Sequence, residues 1–519
     1  MTMDPERLRD RLRGIVRPLG GTQASVPAVP AVVVSTPADG QEPRRATAGE
    51  QIFEQAMQAA LPPASDADLV ARFDAQSDEM ALDEALATHG VQSLESAGAA
   101  TPASRPVQSV RRSAGPEHVL GGEWRTGEKA RSFVVTRRFD ADARYGRMRV
   151  GDIASRLHDA QQGATLLAAG IPRVPFVFFD LETTGLSGGA GTHAFLVGCA
   201  WFAADGSFVV EQHLMTDYAA ERGMLTLVAA DLSRAGALVT FNGKSFDAPV
   251  IETRYLFHRL TSPCTQIPHV DVLHPARRFW GGHAELGCSL IALEQQLLGA
   301  RRIGDVPGFE IPERYFQFVR SGDARPLADV FEHNRLDLLS LAGLTAHLLS
   351  LVTDGAHSTN DARECLALGR VYERAGETAR AEMAFERAAS LAAASTTSGL
   401  RGQRRIASEW AWTAQGIRAE ALRSLAVGAR RARQFNVAAE WWRQLLEVPG
   451  STAQLRREAT EALATHHEHR NRDLSAAKMF ALKSLETGTA TAWGDAVRHR
   501  LARIERKMVS ERSLFPSSP

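Results

Sequence analysis

Asp180 and Glu182 stand two positions apart at the end of an apolar run that begins at Phe176, and this pattern predicts a buried strand. Alternate residues of a strand point to the same side, so the two carboxylates lie together. Like charges held close repel each other and lose solvation unless a cation lies between them. The strand end therefore predicts a divalent-metal site, and an ordinary solvated strand end is the alternative.

Two further carboxylates follow in an order that strengthens the metal hypothesis. Asp247 comes after a second short strand and the turn that begins at Asn242, and Asp337 lies near the start of an apolar-periodic helix. His333 precedes Asp337 by four residues, which places both side chains on one face of that helix. Carboxylate oxygens are the hard ligands that Mg²⁺ prefers, so we assign Asp180, Glu182, Asp247 and Asp337 as metal ligands.

These three segments resemble the exonuclease motifs of the DEDD, or DnaQ-like, nucleases. The Phe-Asp-Leu-Glu-Thr-Thr-Gly-Leu and His-Asn-Arg-Leu-Asp-Leu-Leu-Ser-Leu segments are most similar to the YprB-type branch of the ribonuclease H-like superfamily, over residues 172–352. The resemblance implies an α/β ribonuclease H-like fold with a mixed sheet. It also implies hydrolysis of single-stranded DNA or RNA from a 3′ end, with two Mg²⁺ or Mn²⁺ ions as cofactors.

The resemblance also suggests which residues contact the substrate. Thr183, Gly185 and Leu186 would lie against the 3′-terminal nucleotide, and Asn242 would join them as a substrate-binding residue. Asp271 is a fifth carboxylate on a predicted strand, expected behind the metal ligands, with a structural role as the alternative.

His333 departs from the family pattern. Histidine-type members carry the histidine five residues before the last aspartate and tyrosine-type members carry a tyrosine four residues before it, whereas here a histidine stands at four. Imidazole is a competent base near neutral pH, so we predict a catalytic role for His333. A structural histidine near a helix start is the alternative.

The elements that must position these residues follow from periodicity and turn residues. Helices are predicted at Ala219–Arg234, Phe246–Leu260 and about Leu327–Leu351, with a loop at Gly304–Pro312. The predicted strands are Phe176–Leu181, Ala194–Phe202, Phe208–Met215, Ala237–Phe241 and His269–Leu273.

The remainder of the chain divides into three predicted regions around a ribonuclease H-like domain at residues 172–353. Residues 1–115 are rich in Ala, Pro, Ser and Gly and predict a largely disordered tether with short helices at 51–61 and 67–87. Residues 116–171 predict a basic, strand-containing flank that faces nucleic acid or is a solvated edge hairpin. Residues 356–510 predict an all-α domain of tetratricopeptide-like repeats.

The repeat prediction depends on a spacing of small and aromatic residues, since small residues let paired helices approach closely. Eight arginines between Arg401 and Arg433 face only Glu409 and Glu420, which favours a surface for phosphates or a partner protein, with a solvated face as the alternative. The residues that carry the repeat spacing are Leu368, Gly369, Tyr372, Ala381, Phe385 and Ala388.

Composition limits the function classes. The 519 residues carry 60 basic and 60 acidic side chains, so nucleic acid must be bound by local patches. Four cysteines without a Cys-x-x-Cys pair argue against a zinc site and favour a reduced, cytoplasmic protein, and we expect no segment long enough to span a membrane. The prediction is a metal-dependent 3′→5′ exonuclease; a binding scaffold with a vestigial nuclease fold and a structure-specific endonuclease remain alternatives.

Overall fold

The computed structural model of the protein describes residues 114–127, 130–168, 170–185, 191–281, 287–395, 413–485 and 491–514. The predicted short helices at 51–61 and 67–87, Leu186 and the arginines at 401–405 lie outside the described residues. So does nearly all of the predicted tether.

A seven-stranded sheet forms the centre of the described chain, in the order β1-β2-β7-β6-β5-β8-β9, and β3 pairs with β4 separately. The strands are β1 (Glu123–Gly127), β2 (Ala130–Phe139), β3 (Arg144–Tyr145), β4 (Met148–Arg149), β5 (Phe176–Thr183), β6 (Ala194–Phe202), β7 (Phe208–Leu214), β8 (Ala237–Thr240) and β9 (His269–Asp271).

The sheet is mixed. Strand β8 pairs in parallel with both of its neighbours, β5 and β9. The remaining neighbours in the sheet, from β1 through β2, β7 and β6 to β5, pair antiparallel. Antiparallel neighbours need only short turns, while the parallel strands are joined through helices. Strands β1 and β2 come from the predicted basic flank and form one edge of this same sheet. The sheet therefore contains strands from both sides of the predicted domain boundary at residue 172.

Fifteen α-helices lie in the described residues, eight of them around the sheet. These eight are α1 (Pro116–Leu120), α2 (Val150–Asp159), α3 (Glu221–Leu232), α4 (Asp247–Phe257), α5 (Leu273–Trp280), α6 (Leu290–Leu293), α7 (Ile311–Ser321) and α8 (Ala328–Asp354). A π-helical turn, Glu294–Leu298, continues α6. Short 3₁₀ helices occur at Gln161–Leu166, Tyr218–Ala220, Gly308–Glu310, Arg325–Leu327 and Ala356–Ser358.

Helix α8 packs across one face of the sheet. The closest approach is at Gly198 of β6, where an added Cβ would overlap the amide oxygen of Asn334 and lie 2.8 Å from Leu338 Cδ1. Glycine is needed here because any side chain would push the helix away from the strand. The opposite face of the sheet carries α3 and α4, with Val228 and Ile251 fully buried against it.

One expectation about membranes was wrong. The helical segment Arg325–Asp354 is long and apolar enough to cross a bilayer, with a mean hydropathy of 1.6 over its most apolar window. That window is 72% buried within the protein. A helix that is covered on most sides by its own sheet and helices must be apolar for packing alone, so the segment carries no evidence for a membrane.

The described residues of the C-terminal region form helices that continue the core of the sheet domain. It contains α9 (Ala362–Ala375), α10 (Thr378–Ser395), α11 (Ala414–Arg431), α12 (Phe435–Leu446), α13 (Ala453–His466), α14 (Leu474–Leu485) and α15 (Thr491–Leu514). A second π-helical turn, His467–Asn471, follows α13. The predicted mixed sheet, followed by helices, is confirmed in the described residues.

The first helix pair shows why the small residues predicted a helix array. A Cβ at Gly369 of α9 would lie 2.5 Å from Phe385 Cδ1 of α10, so glycine permits the close crossing. The Tyr372 hydroxyl donates a hydrogen bond to the Val352 carbonyl of α8 at 2.7 Å. Leu368 and Val352 belong to one hydrophobic cluster, and the predicted boundary at residues 353–356 therefore falls inside a continuous core.

Candidate functional site

Three elements bring the predicted metal ligands together. Asp180 and Glu182 lie on one side of β5, Asp247 is the first residue of α4, and Asp337 lies within α8. Strands β5 and β8 are parallel, so their carboxyl ends meet at the same edge of the sheet, and α4 begins just beyond β8. The register of β5 shifts after Glu182, at the point where the strand leaves the sheet.

Asp271 supports this edge of the sheet from behind. One of its carboxylate oxygens accepts hydrogen bonds from the backbone N–H groups of Asn242, at 2.9 Å, and Leu273, at 3.1 Å. The other accepts the N–H of Lys244 at 2.9 Å. Asn242 has a left-handed backbone with φ of 66°, and Asp271 therefore holds the turn that delivers Asp247.

Burial and mutual repulsion raise the pKa values of the acids at this site. Burial, with the charges of Asp337 and Asp247, raises the pKa of Asp180 well above its usual range. Burial, with the charges of Asp180, Asp337 and Asp247, does the same to the pKa of Glu182. Burial, with the charges of Asp271 and Asp337, raises the pKa of Asp247 to about 7. These groups oppose one another's ionisation, and a cation among them would relieve that repulsion.

Asn334 holds Asp180 in place, and the sequence reasoning missed it. Its side-chain Nδ2 donates to Asp180 Oδ2 at 2.7 Å, and its Oδ1 accepts a hydrogen bond from Gln212 Nε2 at 2.9 Å. Gln212 also donates to the Phe331 carbonyl at 2.8 Å. Asn334 is fully buried over Gly198, so its amide has one orientation and Asp180 is fixed by a chain of hydrogen bonds from β7.

Arg302 is a second residue that sequence reasoning missed. Its Nη2 lies 2.6 Å from Asp337 Oδ1, and it donates to Glu294 Oε2 at 2.7 Å through Nη2 and 2.9 Å through Nε. Burial raises the pKa of Asp337, although the charge of Arg302 opposes that effect. Arg302 lies in an irregular loop whose residues show no periodicity, so the sequence carries no signal for its role.

His333 lies between two carboxylates. Its Nδ1 is 2.7 Å from Asp305 Oδ1, and its Nε2 is 3.5 Å from Asp337 Oδ2. The four-residue spacing of His333 and Asp337 on α8 therefore brings them together as predicted. Asp305 was expected only as part of a loop, and no spacing in the sequence connects it to His333.

The donor set fits hard divalent cations. Asp180, Glu182, Asp247 and Asp337 present only carboxylate oxygens, the ligands of Mg²⁺ and Mn²⁺, and Arg302 offsets only part of their charge. Within the described chain, three ligand atoms lie within 4.8 Å of one another in a different group, formed by Glu211, His213 and Asp231.

The group of Glu211, His213 and Asp231 lies on the opposite face of the sheet from Asp180. Glu211 and His213 flank Gln212 on β7, so their side chains point away from α8 and toward α3. Glu211 Oε2 lies 2.9 Å from Arg125 Nη1, and Asp231 pairs with His213 and Arg234. The arginines balance both carboxylates, so we assign this group to packing between strand and helix.

The predicted substrate-binding residues surround the end of β5 and the turn after β8. The Thr183 hydroxyl donates to the Gly185 carbonyl at 3.0 Å, and no atom of the described residues, apart from those of Gly185 and its two chain neighbours, lies within 4 Å of a Cβ added at Gly185. The Asn242 side chain is exposed. Leu186 lies outside the described residues. Their contact with a nucleotide stays a prediction.

Two arginines of the predicted basic flank make contacts within the protein at its surface. Arg137 donates to the carbonyl oxygens of Leu120 and Gly121, and Arg138 pairs with Asp205. These contacts fix the edge of the sheet.

Comparison with known proteins now bears on this site. Residues 177–349 match the model of the RNase H superfamily. The central domain is RNase H-like. The chain is also 36% identical over 224 residues to "Uncharacterized protein YprB" of Bacillus subtilis (strain 168), an alignment that covers 43% of this chain and 54% of the relative. The chain thus spans about half the length of the curated relative that it matches.

Proteins with an RNase H-like fold are generally hydrolytic nucleases that use divalent metal ions. The matched residues 177–349 contain all four acids of the site and the histidine between Asp305 and Asp337. The residues that match the superfamily therefore include the acids that the sheet topology and α8 bring together.

Proposed function

We propose that the RNase H-like domain is a metal-dependent 3′→5′ exonuclease of the DEDD type that hydrolyses phosphodiester bonds of single-stranded DNA or RNA. The observation that carries the proposal is the convergence of four carboxylates from three separate elements, Asp180 and Glu182 on β5, Asp247 at the start of α4 and Asp337 on α8. Repulsion among these carboxylates destabilises the fold, and bound cations would offset it, so we infer that the site binds cations.

Asp180, Glu182, Asp247 and Asp337 would hold two Mg²⁺ or Mn²⁺ ions. When bound, such ions neutralise charge on the phosphoryl oxygens and lower the pKa of water. Asn334 keeps the Asp180 carboxylate in one orientation, and Arg302 holds the other side of Asp337. These contacts reduce the rearrangement that the ligands need when cations bind.

His333 is the catalytic base in this proposal. Its Nε2 lies 3.5 Å from Asp337 Oδ2, and a water beside these two atoms would lie within hydrogen-bonding reach of the imidazole. The proton of the attacking water would pass to Nε2 as the water oxygen bonds to the phosphorus of the terminal nucleotide. The P–O3′ bond to the neighbouring nucleotide would break, and its 3′ oxygen would take a proton from solvent. Thr183, Gly185, Leu186 and Asn242 would contact the terminal nucleotide.

Whether cleavage requires a free 3′ end distinguishes an exonuclease from an endonuclease. The purified full chain is incubated with Mg²⁺ or Mn²⁺ and with 5′-labelled single-stranded DNA or RNA, and the products are sized. A ladder of shortened products supports the exonuclease. A circular single strand of the same sequence is the matched substrate control, because it has no 3′ end. Cleavage of the circle, or one discrete product from the linear strand, contradicts the exonuclease and favours an endonuclease.

A binding scaffold with a vestigial nuclease fold predicts a different outcome, in which nucleic acid is bound and never cut in either metal. The Asp180→Ala variant is the protein control in every assay, because hydrolysis that survives it comes from a contaminant or another site. For the helical residues 356–510 we propose tetratricopeptide-like docking of a partner protein, supported by the close Gly369–Phe385 crossing. A cytoplasmic location stays a prediction.

A further inference from the structure

Asp305 and His333 form a partly buried pair beside the acidic site. Asp305 Oδ1 lies 2.7 Å from His333 Nδ1, and the two side chains are only 18% and 12% exposed. The opposite ring nitrogen, Nε2, lies 3.5 Å from Asp337 Oδ2. The Nδ1 of the imidazole thus contacts a carboxylate that is not one of the predicted metal ligands, and its Nε2 faces the acidic site.

Asp305 is itself held from two sides. Its Oδ1 accepts the backbone N–H of Val306 at 3.0 Å, and its Oδ2 lies 3.2 Å from Arg302 Nη1. Arg302 is in turn anchored by Glu294. The carboxylate is therefore fixed, although it lies in a loop without regular secondary structure.

We propose that Asp305 is a positioning residue that holds the imidazole of His333 with Nδ1 protonated and Nε2 directed toward Asp337. The proposal rests on the proposed function, since it names the group that orients the proposed base. A neutral imidazole has two tautomers and two ring orientations, and only one combination presents an unprotonated Nε2 to the site. A carboxylate on Nδ1 selects that combination.

The first test is kinetic. Asp305→Ala should lower kcat about 10- to 100-fold with little change in KM, because the ring is misoriented while the substrate contacts remain. Asp305→Asn should retain more activity than Asp305→Ala, since an amide oxygen still accepts the Nδ1 hydrogen bond. The matched control is Asp329→Ala, which removes an aspartate paired with Arg314 on the same helix as His333. An Asp305→Ala enzyme with wild-type kcat overturns the proposal.

A double-mutant cycle separates positioning from a general loss of structure. If Asp305 acts through His333, adding Asp305→Ala to His333→Ala should cause no further loss of kcat. If the further loss is again 10-fold or more, Asp305 acts through Arg302 or through the fold, and the positioning role is rejected. Thermal unfolding of each variant identifies any that do not fold, and for those the Asp305→Asn comparison is used.

A third measurement needs no activity. Imidazole ¹⁵N shifts are recorded on histidine-labelled full-length protein at a pH where the ring is neutral, and the His333 signal is identified by its absence in His333→Ala. We expect a protonated Nδ1 in the wild type and a shift toward protonated Nε2 in Asp305→Ala. The same tautomer in both proteins overturns the proposal. If the tautomer shifts but the wild type cuts no substrate, the proposed function alone has failed.

Discussion

Glu182 in the RNase H-like domain and Glu468 in the helical region are both buried glutamates, with 9% and 4% of their surface exposed. Their surroundings are opposite. Burial and the charges of four aspartates raise the pKa of Glu182. Burial also acts to raise the pKa of Glu468, but hydrogen bonds from Arg503 and Lys507 outweigh it and lower that pKa to about 2.

The geometry around Glu468 explains its behaviour. Arg503 donates to both carboxylate oxygens, at 2.9 and 2.8 Å, and Lys507 Nζ donates to Oε1 at 2.8 Å. All three contacts join the turn after α13 to α15. Around Glu182, by contrast, the neighbouring charges come mainly from other acids. A buried acid with cationic partners stabilises a fold, whereas a buried acid among acids needs a ligand.

The largest effect should come from removing an acid of the site. Asp180→Ala should lower hydrolysis by at least about 10³-fold, because the loss acts on the transition state. The free energy of unfolding without metal should stay equal or rise, since repulsion with Glu182 and Asp247 is relieved. Steady-state rates and thermal unfolding, each with and without Mn²⁺, measure both quantities.

The control for this change is Asp323→Ala, which removes a partly exposed aspartate paired with Arg325. It should leave both the rate and the stabilisation by Mn²⁺ unchanged. Undiminished hydrolysis by Asp180→Ala would remove the acidic site from the proposal. A large loss of stability in that variant would mean that Asp180 resembles Glu468.

A smaller effect is expected at His333, which lies between the carboxylates of Asp305 and Asp337. His333→Ala should lower kcat about 10²- to 10⁴-fold while Mn²⁺ binding stays close to wild type. His333→Tyr should recover part of the loss, because a phenol can hold the same water. Rates at saturating Mn²⁺ and calorimetric titration of the metal separate the two quantities. Equal kcat in wild type and His333→Ala would make the histidine structural.

The smallest effect on hydrolysis is expected at Glu468. Glu468→Gln should cost about 1 to 3 kcal/mol of unfolding free energy at neutral pH while activity on short oligonucleotides is retained. Because the pKa of Glu468 is lowered from 4.5 to about 2 on folding, its contribution is complete above pH 4.5 and is lost as the pH falls toward 2. The stability difference between wild type and Glu468→Gln should therefore shrink over that range.

The matched control is Glu505→Gln on α15, since Glu505 makes a single exposed pair with Lys478 at 2.7 Å. Surface pairs contribute little, so this variant should unfold close to wild type at every pH. A stability difference for Glu468→Gln that persists undiminished at pH 2 would show that its carboxylate is not ionised in the folded state.

The amino-acid sequence by itself determined the strand that carries Asp180 and Glu182, the mixed fold class and the helix spacing of His333 and Asp337. These features depend on local periodicity, which repeats every two residues in strands and every 3.6 in helices. Strand β6 was predicted with the bounds that it has, Ala194–Phe202. The closely packed helix pair at Gly369 was also readable, because small and aromatic residues recur at fixed intervals.

Only the tertiary structure brought Asn334 to Asp180, across 154 residues of sequence, and Asp305 to His333, across 28. Neither contact follows from a repeating pattern in the sequence, because each depends on how α8 crosses the sheet at Gly198 and where one irregular loop ends. A side chain in such a loop has the same local sequence whether it faces solvent or a catalytic group. Its role is decided by the packing of distant elements, which no local pattern records.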